Sequence, residues 1–290
     1  MQKIINKMPV TLRNVLSEIP EDVRNSLEEI RIQINQPVRV ISGGRELVLK
    51  ECSIDRQTID NILNNLLDYS IYAYEEDLAK GFITIEGGHR VGVCGRVVTE
   101  NGGIRLIKEI SSLNIRRSRA IRGASAKVIN EIYDPAIGLQ NTIIVSPPRC
   151  GKTTLVRDIV RAVSERGMRV GVCDERSEIA GMYQGVPSYD LGPRTDVLDG
   201  CIKAEGMLML IRSMSPDVIV TDEIGRSEDI PAIEAATSAG ISIITTIHGN
   251  SYEDLMASKI GPLVNQGIFK RIIFLSNIPS TGTVREVRHV

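Results

Sequence analysis

The chain has no tryptophan and only 3 phenylalanines among its 290 residues. Proteins that hold single-stranded nucleic acid stack bases on aromatic faces, and at 3% aromatic residues no such platform is expected here. A net charge of -1 leaves no global basic footprint either, so sequence-specific nucleic-acid binding is not expected. No apolar run of about 18 or more residues occurs, and the opening MQKIINKMPVTLRNVL lacks the apolar centre of a signal peptide. A cytoplasmic protein is the expectation. The five cysteines, Cys52, Cys94, Cys150, Cys173 and Cys201, are odd in number and scattered, with no C-x-x-C pair and no nearby histidines to suit zinc. They read as reduced core thiols.

At 42% hydrophobic and 24% charged, the composition is that of a globular protein, and 290 residues suffice for two cores. Early glycines fall in short turns between β-branched runs. LEEIRIQI, NQP and VRVISGG read as a hairpin, and ITIEGG, HRVGVCGRVV and GIRLIKEIS as further strands. Between these groups Ile59, Ile62, Leu63, Leu66 and Leu67 recur at helical spacing. Residues 1–118 are therefore expected to form a small α+β N-terminal domain. Past the basic run IRRSRAIRG the pattern alternates. ASAKVINEIYD reads as helix, NTIIV as strand, KTTLVRDIVRAVSE as helix, RVGVCDE as strand, TDVLDGCIKAEGMLMLIRSM as mostly helix, DVIVTDE as strand, SEDIPAIEAATSAG as helix and SIITTIHG as strand. Such alternation implies an α/β domain with a mainly parallel sheet covered on both faces, over residues 119–290.

Within that half, Ser146 to Thr153 (SPPRCGKT) meets G-x-x-x-x-G-K-[ST] at every defined position except the first. It follows an apolar strand and opens an amphipathic helix, the context a phosphate loop requires. Backbone N–H groups and the helix N-terminus would face a triphosphate. Ser146, Pro147, Pro148, Arg149, Cys150, Gly151 and Thr154 would line the cradle, Lys152 would span the β- and γ-phosphates of ATP, and the Thr153 hydroxyl would ligate Mg²⁺. Serine can stand in for the first glycine if its φ is negative. DVIVTDE ends in Asp222, placed to hold the metal near Thr153, and Glu223, placed to polarise the attacking water. Asp174, Glu175, Arg176 and Glu178 follow another strand, either at the ligand or capping a helix start. His248 ends a further strand, where it can sense the γ-phosphate or be buried for structure.

Taken in order, SPPRCGKTTLVRDI, CDERSEIAG, MLIRSMSPDVIVTDEIG and TTIHG resemble the ATPases of type II and type IV secretion and type IV pilus assembly. That family carries a Walker A, an Asp box, a Walker B and a His box in this sequence. With GGHRVGVCGRVV added, the likeness is greatest to a sporulation branch of the superfamily and covers nearly all the chain from about residue 80. The resemblance implies a RecA-like P-loop ATPase domain using ATP and Mg²⁺, and a homohexameric ring whose assembly can depend on a partner or nucleotide. It further implies a cytoplasmic protein peripheral to the membrane, at the mother-cell face of the outer forespore membrane. There it would power a secretion-like channel complex, with an integral membrane protein as partner. Family N-terminal domains deliver arginines to bound nucleotide, a role that would fall to Arg90 and Arg96, six residues apart on one strand and so on one face. Arg226, just after the Asp222 strand, is the first alternative. Where the secretion family commonly has Gly-Glu, this chain has Asp222 and Glu223, and its Asp box is permuted, so Glu175 or Glu178 rivals Glu223 as base. Two other classes stand beside the motor: a nucleic-acid-stimulated ATPase using the arginine run, and a nucleotide-gated scaffold with little turnover.

Overall fold

The structure is a computed structural model and describes residues 2–290. The chain divides into two compact units, Met1–Ser118 and Arg119–Val290. In the first, an antiparallel sheet is built from β1 (Leu27–Gln33), β2 (Pro37–Ser42), β3 (Arg45–Ser53), β4 (Phe82–Ile85), β5 (His89–Glu100) and β6 (Gly103–Arg116), in the order β3-β2-β1-β6-β5-β4. Its apolar face is closed by the helix Arg56–Leu66, which packs against β6 and buries Ile59, Ile62, Leu63 and Leu66. Spacing at i, i+3 and i+4 puts these side chains on one stripe. The Asp55 carboxylate starts the helix by accepting the Thr58 N–H at 2.8 Å.

In the second unit the short helix Ile129–Ile132 leads into a ribbon of β7 (Tyr133–Asp134) and β8 (Gly138–Leu139). Its main sheet comprises β9 (Thr142–Ser146), β10 (Val170–Asp174), β13 (Thr195–Asp199), β14 (Val218–Glu223), β15 (Ser242–His248), β16 (Arg271–Ser276) and β17 (Thr283–His289). A second ribbon, β11 (Met182–Tyr183) with β12 (Val186–Pro187), lies outside it. The order is β13-β10-β14-β15-β9-β16-β17, parallel except for the β16–β17 hairpin. Strands β9 and β10 are buried at every position, as expected of strands covered on both faces. One cluster, with Ile144, Ile159 and Val172, fills one side, and another, with Ile143, Met207 and Ile233, fills the other.

Two expected helices are shorter than the sequence pattern suggests. ASAKVINEIYD is helical only over Ile129–Ile132. Asp134 precedes Pro135, which disfavours the helical backbone at the residue before it, and Tyr133–Asp134 becomes β7. TDVLDGCIKAEGMLMLIRSM begins as β13, paired in parallel with β10 from Val170↔Thr195 to Asp174↔Asp199. Its helix starts only at Lys203, after Gly200 at φ +70. The cysteines are all free thiols, but Cys94 is exposed and Cys201 half-buried, so only Cys52, Cys150 and Cys173 are core thiols.

Candidate functional site

The sheet order brings the site together. Strand β15 lies between β9 and β14, so the ends of three neighbouring parallel strands carry Ser146, His248 and Glu223. Ser146 is buried, sits in register with His248, and takes no left-handed φ. Its hydroxyl donates to Pro147 O at 2.9 Å. Serine is thus compatible with the first position of the loop. Gly151, by contrast, has φ +83 and caps the helix Lys152–Glu165. A Cβ there would also stand 3.2 Å from Gly282 Cα, so conformation and close approach both select glycine. Pro148 and Arg149 are exposed on the loop, while the Cys150 thiol is buried and lies 3.6 Å from Pro148 O. Thr153 and Thr154 follow in the first turn of the helix, half-buried.

Lys152 Nζ lies 3.2 Å from Ser146 O and 2.6 Å from His248 Nδ1, and His248 Nε2 lies 2.8 Å from Glu223 Oε2. With a neutral imidazole, the ammonium donates to Nδ1 and the Nε2–H donates to the carboxylate. A lysine, a histidine and a glutamate therefore form one hydrogen-bonded chain across the strand ends. Burial lowers the Lys152 pKa from its ordinary value, against the opposing pull of the Glu223 charge.

A second polar cluster adjoins the first. Lys203, buried at the start of its helix, places Nζ 3.0 Å from Asp222 Oδ1 and in contact with Glu175 Oε2, and Arg226 meets Glu175 Oε1 at 3.3 Å. Burial would lower the Lys203 pKa, but the charges of Asp222 and Glu175 outweigh it and raise it. Burial dominates at Asp222, pushing it up to about 6 although Lys203 pulls it down. At Glu175 the lysine and Arg226 overcome burial and hold the carboxyl below its usual range. Lys203 was not legible as a site residue in the sequence. Its one signal is a cation in a helix's first turn, where the macrodipole disfavours it.

Asp174 belongs to neither cluster. It is fully buried and accepts the N–H groups of Glu178, Ile179 and Ala180 at 2.9, 3.0 and 2.8 Å. Burial pushes its pKa up to about 7 despite those donors. The segment it orders is pinned from the other side by Arg157, which donates to the carbonyls of Arg119, Glu178 and Ile179 and lies over the Tyr189 ring at 3.6 Å. That ordering holds Glu178 at the edge of a cavity of about 400 Å³ that is also lined by Lys152, Thr153, Glu175, Lys203, Asp222, Glu223, Arg226 and His248. Of the three acids from the end of β10 onward, Asp174 caps the backbone and two, Glu175 and Glu178, face the cavity.

Arg90 and Arg96 belong to the first unit. Arg90 lies 3.6 Å over the Phe82 ring and Arg96 pairs with Glu109 at 3.3 Å. The β5–β6 register breaks between Cys94 and Arg96, so the two do not share one uninterrupted ladder.

The fold is that of the secretion and pilus ATPases. The ATPase DotB of Legionella pneumophila superposes with a TM-score of 0.60 over 92% of this chain and 76% of that one at 16% identity. The pilus retraction motor PilT, solved with ADP, gives 0.58 over 89% and 77% at 15% identity. Within that class the chain belongs to the family described as sporulation stage III, protein AA, whose sequence profile matches residues 1–289. Stage III sporulation protein AA of Bacillus subtilis (strain 168) is 44% identical over 99% of this chain and 94% of its own length. Among the described residues, no helix is long and apolar enough to cross a membrane.

Proposed function

We propose that the protein is an ATPase that binds MgATP at the Lys152 loop and acts as the motor of a membrane-associated channel or secretion complex during sporulation. The observation that carries this reading is the Lys152–His248–Glu223 chain. The γ-phosphate of ATP competes with His248 for the Lys152 ammonium. Its arrival would take the ammonium from Nδ1, and turning the Nε2–H from Glu223 to the phosphate would leave Glu223 to orient the attacking water. Thr153 and Asp222 line the same cavity and suit a magnesium ion, which takes one or two protein oxygens and otherwise water and phosphate. When bound there, the ion would supply neutralisation of the charge developing on the phosphate oxygens. Glu175 and Glu178 are the rival bases. Glu175 is engaged by Lys203 and Arg226, which favours Glu223.

Assembly as a hexameric ring, attachment to an integral membrane protein at the forespore membrane, and delivery of Arg90 and Arg96 to nucleotide extend the same reading. DotB and PilT support it through the shared fold, and the B. subtilis relative through its sporulation name. The nucleic-acid alternative rests on the arginine run, in which Arg117 donates to Asn25 O and Arg122 pairs with Glu165. The deciding experiment is equilibrium binding and turnover of MgATP by the full chain and by Lys152→Ala. The wild type is expected to bind and hydrolyse, and the variant to do neither. Normal turnover in the variant would remove the site.

A further inference from the structure

Cys173 and Cys201 meet beneath the acidic side of the cavity. Their sulfurs are 3.4 Å apart, Cys173 fully buried in β10 and Cys201 half-buried in the turn between β13 and the helix Lys203–Met214. Beside them the helix carries Gly206, at a buried interior position where glycine is less favourable than alanine. A Cβ at Gly206 would stand 2.5 Å from Cys201 Sγ and 2.6 Å from Cys173 Sγ. Glycine there makes room for the two thiols together.

We propose that Cys173 and Cys201 are a reversible disulfide site, oxidised by exchange with a low-molecular-weight disulfide, and that closing the bond reshapes the Glu175–Lys203 side of the cavity. The more exposed Cys201 is the attacking group. Its pKa is lowered, first by its hydrogen bond with Cys173, while Cys173 is raised by the same bond and by burial. The Cys201 thiolate attacks the small disulfide, forming a mixed disulfide and expelling one small thiolate. Cys173, losing its proton to solvent, then attacks Cys201 Sγ and expels the second. Two protein thiols are oxidised and one external disulfide is reduced to two thiols.

The consequence for the cavity follows from connectivity. Cys173 immediately precedes the cap Asp174, with Glu175 next, and Cys201 stands two residues before Lys203. The sulfurs sit at the bases of two arms whose tips form the Lys203–Glu175 ion pair. Bonding draws them together to about 2.05 Å and imposes a fixed dihedral. That displaces the arms relative to each other. This part rests on the nucleotide reading; formation of the bond does not.

The test uses the full chain with Cys94→Ser, which removes the exposed thiol, incubated with oxidised glutathione. Peptide mapping is expected to find Cys173 linked to Cys201, with an intact mass lower by two hydrogens and restored by dithiothreitol. With Cys173→Ser added, Cys201 should instead accumulate as the glutathione adduct, because the resolving thiol is gone. Both thiols remaining free in folded protein, or a Cys201 adduct that never resolves with Cys173 present, overturns the proposal. Binding of a fluorescent ATP analogue is then compared before and after oxidation. A several-fold loss, reversed by reductant, supports the coupling, and equal affinities overturn it. If the reduced protein binds no analogue at all, the nucleotide reading fails, while the mapped linkage still decides the thiol pair.

Discussion

Lys203 Nζ stands 3.0 Å from Asp222 Oδ1 and touches Glu175 as well, so one buried ammonium serves two carboxylates from different strand ends. Breaking a buried pair leaves an uncompensated charge and costs about 3 kcal/mol or more. Lys203→Met keeps the stem and removes the charge. Urea unfolding should show the variant less stable by about that amount, and Mg²⁺ should recover more stability in it than in wild type, since two acids then face a site without their cation. Equal stability and equal Mg²⁺ response would show that the pair is not linked to the metal position.

Glu223 and Glu178 both reach the cavity, and Glu223 joins the chain through His248 to Lys152. Glu223→Gln is expected to bind MgATP with near wild-type affinity and to lose turnover by about 10² or more. Glu178→Gln should retain turnover within a few-fold. The reverse result in single-turnover assays moves the base to Glu178.

Strands β9, β10, β14 and β15 were legible because each is a short apolar run between helical repeats, and the strand ends that carry Ser146, Asp222, Glu223 and His248 could be read from the same runs, whereas β16 and β17 were not read. Thr195–Asp199 was not legible. TDVLD alternates weakly and becomes β13 only because β10 offers an unpaired edge, a tertiary cause invisible in local sequence. Lys203 was hidden for a related reason. Its burial arises from β13 displacing the helix start to residue 203. Nor does sequence separate Asp174 from Glu175, neighbours at the end of one strand; the fold sends one to the backbone and the other to the cavity.

Asp174 accepts three backbone N–H groups with no solvent nearby. Asp174→Ala strands them, at about 3 kcal/mol given about 1–3 kcal/mol per unpaired buried donor and partial relaxation. Asp174→Asn retains one acceptor oxygen and should lose less. Chemical denaturation measures both. ATP affinity should fall as well, because Glu178 and Glu175 flank the segment this carboxylate orders. An alanine variant as stable as wild type would contradict the capping role.

In the first unit, the half-buried His89 accepts the Ser118 N–H on Nδ1 at 3.1 Å, which requires an unprotonated nitrogen there. Burial, aided by the Arg117 charge, lowers its pKa from 6.5 to about 4. A base depressed on folding is neutral in the native state while the unfolded chain takes up a proton. Its contribution is therefore constant above about pH 6.5 and declines as pH falls toward about 4. Asp174 has the opposite sign. Raised from 3.8 to about 7, it favours the fold as pH drops through that interval. The two residues can be separated by substitution. His89→Asn keeps an acceptor oxygen without a titrating group, so between pH 7 and pH 4.5 the wild type should lose about 1–2 kcal/mol relative to the variant, a value reduced for partial exposure. Parallel unfolding profiles across that range would mean that His89 does not hold the Ser118 amide as a neutral acceptor.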